Sequence, residues 1–240
     1  MNLIKMETVL SLRDKVGPLW GVGFPLLLLI VLGNVPSLRE EIEPGVSIFD
    51  LYVPVLVLFN LAMLALFAVP NVLAGYRENG VLRRLHTTPV GPARVLAAQL
   101  VANLGIAVVA AVLFLAVARF AFGVGLPDSG LSFLLAWLLV AAAMLAIGLL
   151  ITALAPGRAP ATAIGTVLYF PMMFFAGLWV PISQMPPLLR DISHATPLGA
   201  GMEAFQHAYA GDLPPAQPLI ILLGYAVTCA AAAIRWFRWA

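Results

Sequence analysis

The chain has 240 residues, 62% of them hydrophobic and only 10% charged, with a formal net charge of +2. Its mean hydropathy is +1.01. Soluble domains carry about 25% charged residues, so a water-facing globule is excluded and lipid must solvate most of this surface. Cys229 is the only cysteine, which excludes an internal disulfide and fits a small packed residue in an apolar run.

Six stretches run for more than 20 residues without Asp, Glu, Lys or Arg: Val16–Leu38, Leu51–Tyr76, Val95–Ala118, Ser129–Gly157, Ala159–Leu189 and Leu213–Ile234. About 20 apolar residues cross a hydrocarbon core as a helix. The runs are continuous and lack the alternation of barrel strands. The expected fold is therefore an all-α integral membrane protein with six transmembrane helices in one domain over residues 1–240. Its spans fall at about 17–34, 52–74, 95–121, 131–155, 160–180 and 217–236. Pro25, Pro54, Pro70 and Pro171 fall inside spans and mark kinks. The first run is too long for a cleaved signal and no small-residue cleavage site follows it cleanly, so it is expected to stay as an anchor.

Six spans place both termini on one side. If that side is the cytoplasm, the inside holds Lys5, Arg13, Lys15, Arg77, Arg83, Arg84, Arg94, Arg158, Arg235 and Arg238. The outside then holds only Arg39, Arg119 and Arg190. This bias predicts N-in, C-in. Tryptophans 20, 137, 179, 236 and 239 lie near span ends or in the outer parts of spans, and most suit an interfacial belt.

Between the second and third spans runs Gly75-Tyr76-Arg77-Glu78-Asn79-Gly80-Val81-Leu82-Arg83-Arg84-Leu85-His86-Thr87-Thr88-Pro89-Val90, a charge cluster in which Arg77, Arg83 and Arg84 outnumber Glu78. Residues 78–87 can form a short helix with Val81, Leu82 and Leu85 as an apolar stripe. Thr88-Pro89 ends it, because proline disfavours helical geometry in the residue before it. Charge alone fits a basic loop that orients the protein and touches anionic lipid. The order Arg77-Glu78-x-Gly80-x-Leu82-x-x-Leu85-x-x-x-Pro89 is more particular.

A second pattern lies before the last span. Gly177-Leu178-Trp179-Val180-Pro181 opens a loop of about 38 residues, too long for a plain connector. Met185-Pro186-Pro187 and Thr196-Pro197-Leu198 follow. Residues 187–194 and 198–208 read as two short helices, with stripes at Leu188, Leu189, Ile192 and at Met202, Phe205, Tyr209.

Together these patterns resemble the six-span permease subunits of bacterial ATP-binding-cassette exporters, the type 2 family of drug, polysaccharide and lipid-linked-sugar exporters. The resemblance covers nearly the whole chain. It implies that the segment between spans two and three is a coupling helix seated in a cleft of an ATPase subunit, through Tyr76, Arg77, Glu78, Val81, Leu82, Arg83, Arg84 and Leu85. It also implies an interfacial helix over Asn2–Lys15 and short re-entrant helices that cap the exit before span six. The implied partners are two copies of a P-loop ATPase, a second permease copy or paralogue, and membrane lipid. Nucleic acid is not among them. The implied place is the bacterial plasma membrane.

The chain shows no chemistry of its own. The only lysines, Lys5 and Lys15, follow no glycine-rich phosphate loop. ATP and Mg are therefore expected in a separate partner, with no cofactor and no catalytic site in this chain. No Asp, Glu, Lys or Arg lies near the middle of a span, which counts against an ion-coupled secondary transporter. His86, His194 and His207 form no metal set, and Glu203 with His207 reads as a hydrogen-bonded pair at helical spacing.

The polar span residues Asn60, Gln99, Asn103, Thr152, Thr162, Thr166, Tyr169 and Thr228 need partners in hydrocarbon, so they should face other helices or a cavity. Phe59, Asn60, Met63, Phe170, Met173 and Phe174 are the candidate translocation path, since aromatic and Met side chains make an adaptable surface. The expected cargo is a small amphiphilic molecule, drug- or antibiotic-like, or a lipid. A membrane scaffold without transport is the third alternative.

Overall fold

The computed structural model describes residues 22–43, 46–80 and 92–236. The elements in chain order are α1 (Phe24–Gly33), a 3-10 turn (Pro36–Leu38), β1 (Glu41–Glu43), β2 (Val46–Ser47), α2 (Ile48–Glu78), α3 (Pro92–Phe122), α4 (Gly130–Leu154), α5 (Arg158–Phe175), α6 (Pro187–Ala195), α7 (Pro197–Tyr209) and α8 (Ala216–Trp236). The strands form a small antiparallel hairpin, with Glu41 opposite Ser47. Among the described residues, α2, α3 from Ala97, α4 and α8 are long and apolar enough to cross a membrane. The shorter α1 and the 18-residue α5 stand where spans one and five are expected.

The helix α2 starts at a reciprocal cap. The Ser47 backbone N–H and hydroxyl donate to Asp50 Oδ2 at 2.7 and 2.6 Å, and the Asp50 N–H donates to Ser47 Oγ at 3.3 Å. This satisfies donors that the first turn would otherwise leave open. Ser47→Ala is expected to lower stability by about 1 kcal/mol, read as a lower thermal midpoint in detergent.

The same helix is the hub. In its most apolar window 78% is buried, against 17% for α8, which leaves α8 at the rim for lipid. It packs on α1, α3, α4, α5 and α7. Leu64–Ala68 is a π-helical turn, with the Val69 N–H donating to the Leu64 carbonyl. The cause is Pro70, which has no N–H for the carbonyl of Leu66.

The widened turn pushes two carbonyls toward neighbours that are glycines. A Cβ on Gly165 of α5 would lie 2.5 Å from Leu66 O, and one on Gly148 of α4 would collide with Ala65 O. Absent side chains let three backbones meet, as small residues do between membrane helices.

The helix α5 stops at Phe175, short of the expected 180. Gly177 takes φ +90, its N–H donates to Phe174 O (3.0 Å) and the Leu178 N–H donates to Met173 O (3.1 Å). These bonds make the paired cap that ends helices at a left-handed residue. The glycine opening Gly177-x-x-x-Pro181 is therefore a helix stop.

Four of the eight polar span residues bond one turn back within their own helix, while Asn60, Gln99, Asn103, Thr152 and Tyr169 are buried, as expected of residues facing other helices. Thr152, Thr166 and Thr228 donate to carbonyls four residues back, at 2.9, 2.9 and 2.6 Å. Asn103 does the same to Gln99 O at 2.8 Å. Thr162 bonds across helices, to Asn71 Oδ1 at 3.0 Å.

Candidate functional site

The site is built where α2 ends beside the tight turn between α4 and α5. Gly80, at φ +65, donates its N–H to Arg77 O at 3.0 Å and closes α2. Tyr76, Arg77 and Glu78 therefore form the last turn of span two. This corrects the expectation that a separate helix begins at Glu78. Val81, Leu82, Arg83, Arg84 and Leu85 lie outside the described residues, as do Asn2–Lys15.

The Arg77 and Glu78 side chains reach sideways to two different helix ends. Arg77 Nη1 donates to Ala155 O at 2.6 Å and to Thr152 O at 3.1 Å. These carbonyls belong to the open C-terminal end of α4, where backbone dipoles concentrate negative charge. Glu78 Oε1 accepts the Arg158 backbone N–H at 2.7 Å, and Oε2 lies 3.7 Å from Arg158 Nε. Arg158 opens α5, where the same dipoles concentrate positive charge. Adjacent residues of opposite sign thus meet helix ends of the complementary sign.

Two glycines permit this approach. A Cβ on Gly157 would strike the Glu78 carboxylate, and one on Gly75 would strike the Arg158 guanidinium, which lies flat against the α2 backbone. The side-chain pair of Glu78 and Arg158 is about half exposed, so its ionic part is weak. The bond to the Arg158 N–H is the stronger contact, being charge-assisted.

The candidate path residues divide. Phe59, Asn60 and Met173 are buried inside the bundle, Met63 and Phe174 are half-buried, and Phe170 is exposed. Tyr169 links them, with ring centroids 5.8 Å from Phe59 and 5.5 Å from Phe170, and Phe170 stacks on Trp179 at 6.3 Å.

At the opposite end of the bundle, the two expected short helices are present as α6 and α7. Ser193 Oγ donates to Phe175 O at 2.6 Å, and Tyr225 OH donates to Ala195 O at 3.2 Å. These bonds tie the hairpin to α5 and α8. The stripe Met202, Phe205 is buried in the bundle, whereas Leu188 and Ile192 of α6 are exposed. Glu203 pairs with His194, at 2.5 Å to Nδ1, which corrects its expected pairing with His207. Among the described residues no His, Cys, Asp or Glu cluster could hold a metal.

Sequence reasoning missed Gly75, Asn71, Gly157 and Arg158 as parts of one structure. The available signal was Gly157-Arg158 itself, a glycine and a lone cation in the short break between two long apolar runs.

A helical membrane bundle with a charged base at one end is the class these features define. The family model for ABC-2 type transporters matches residues 1–209, and the chain belongs to that family. It is accordingly a multi-pass membrane protein and a permease subunit of an ABC transporter, in a family that typically pairs with an ATPase subunit. No curated protein matches the chain.

Proposed function

We propose that this permease works as an ATP-driven exporter in a bacterial plasma membrane, moving a small amphiphilic drug- or antibiotic-like molecule or a lipid outward. The observation that carries this reading is the family match over residues 1–209, joined to a chain without a phosphate-binding loop. Six spans with N-in, C-in orientation put residues 76–90 and 155–158 on the cytoplasmic side. Two ATPase subunits bind ATP and Mg below two permease copies, or below this chain and a paralogue. Each grips one segment at residues 76–90, and their closure on ATP rocks the bundle as a rigid body. Phe59, Asn60, Met63, Phe170, Met173 and Phe174 border the route between α2 and α5.

Arg83→Glu combined with Leu85→Asp tests the docking face. The expected result is loss of the co-purifying ATPase on the order of tenfold or more, as for a central interface residue. Undiminished co-purification overturns the docking role. Stimulation of the reconstituted complex's ATP hydrolysis by a panel of amphiphiles, lipids and glycans then identifies the cargo class.

A further inference from the structure

We infer that Arg77 and Glu78 are positioning residues that carry the movement of the following segment into α4 and α5, rather than part of the surface that meets the ATPase. The inference rests on the proposed docking of residues 76–90 and goes beyond it by naming the route of force. Three observations carry it. Both side chains are spent within the chain: Arg77 on the carbonyls of Thr152 and Ala155, Glu78 on the N–H of Arg158. Their charges oppose the dipoles of the two helix ends they hold. Gly75 and Gly157 lack the side chains that would keep the contacts apart.

The mechanical consequence follows from connectivity. Arg77 and Glu78 stand immediately before Gly80, where α2 stops. A push on the segment beyond Gly80 reaches the α4–α5 turn through two short charge-assisted bonds, Arg77 to Ala155 and Glu78 to Arg158. From there it runs along α5 to Phe175, whose carbonyl holds Ser193 of the far hairpin. One clasp thus connects the driven segment to the opposite end of the bundle through one helix, with Pro171 in its last two turns. Without it, α4 and α5 would follow α2 only through the Thr162–Asn71 bond and the close packing at the π-turn, contacts farther along α2 from the driven end.

The contact to Glu78 is made by the Arg158 backbone, and this permits a test from the far side of the clasp. Position 158 opens α5, where proline is tolerated because its missing N–H would not bond within the helix. Gly157 already has the extended backbone that a following proline requires, at φ −165 and ψ −177. Arg158→Pro therefore removes the donor while keeping the helix, and Arg158→Ala keeps the donor while removing the guanidinium.

The permease is purified with its ATPase, and hydrogen exchange of residues 176–185 is compared in the nucleotide-free and the ATP/vanadate-trapped complex. The unsubstituted chain and Arg158→Ala are expected to show the same nucleotide-dependent change. In Arg158→Pro the change falls about tenfold or more, the scale set by a lost hydrogen bond to a charged group, while the ATPase still co-purifies. If Arg158→Pro does not reach the membrane, Glu78→Ala removes the same bond from the other side and carries the same two outcomes.

A nucleotide response that survives the loss of the bond overturns the clasp and leaves the exporter reading intact. Equal loss in Arg158→Ala overturns it as well, because a part in generic folding or charge would explain both variants. Absence of any co-purifying ATPase with the unsubstituted chain overturns the exporter reading and the clasp with it.

Discussion

Gly148→Leu and Gly165→Leu are expected to prevent the bundle from closing. A Cβ on Gly148 meets the carbonyl oxygen of Ala65, and one on Gly165 meets that of Leu66 at 2.5 Å. Both obstacles are backbone within a buried helix, so no rotamer change relieves them. Even Gly→Ala is expected to cost about 1–3 kcal/mol, the usual range for overpacking. Leucine adds volume with nowhere to go. The measurement is the yield of monodisperse protein in detergent and its thermal midpoint. Gly105→Leu and Gly224→Leu are the controls, since nothing lies within 4 Å of the Cβ positions there. They should leave the midpoint nearly unchanged. Equal behaviour of the two pairs would show that close backbone contact at the π-turn is not what holds α2, α4 and α5 together.

Arg77→Glu is the second large effect. It exchanges a donor for an acceptor opposite the carbonyls of Thr152 and Ala155. Two carbonyls lose a charge-assisted partner, and a carboxylate is set against the negative end of α4. The lost bonds alone are worth about 1.5–3 kcal/mol, and the repulsion adds to that. Arg77→Lys should fall between, because an ammonium keeps the charge but not the reach and fixed plane of the guanidinium whose Nη1 bonds both oxygens. The order arginine, lysine, glutamate in thermal midpoint checks the argument. A lysine variant as damaged as the glutamate variant would mean that shape rather than charge fixes the contact.

The spans were legible because lipid imposes a crude requirement: long runs without charge. Among the described residues, the four helices long and apolar enough to cross a membrane, α2, α3, α4 and α8, fall within a few residues of expected runs. Ends were less legible where a local device sets them. α2 begins at a cap on Ser47 and continues to Glu78, since a charged last turn costs nothing outside the apolar core. α5 stops early because Gly177 takes a left-handed conformation.

The hydroxyls of Thr152, Thr166 and Thr228 illustrate a different limit. Composition says that each needs a partner, but not whether the partner lies across the bundle or one turn back. The one-turn solution is always within reach of a threonine in a helix.

The charged segment was visible as charge, as spacing and as a family pattern. Its residue types, with the lack of a phosphate loop, pointed to a chain moved by a partner. Tertiary structure alone decided which of those charges bind helix ends within the chain. Arg77 and Glu78 are next to Arg158 only because α2 and the α4–α5 turn end at the same level of the bundle, about 80 positions apart in the chain. That level depends on how deeply α4 and α5 pack against the π-turn at Leu64–Ala68, through Gly148 and Gly165. Hydropathy is a sum along the chain and carries no information about such registration. The sequence by itself determined that the protein lives in lipid and where its charge gathers. The packing of three backbones decided that two of those charges clasp a pair of helix ends.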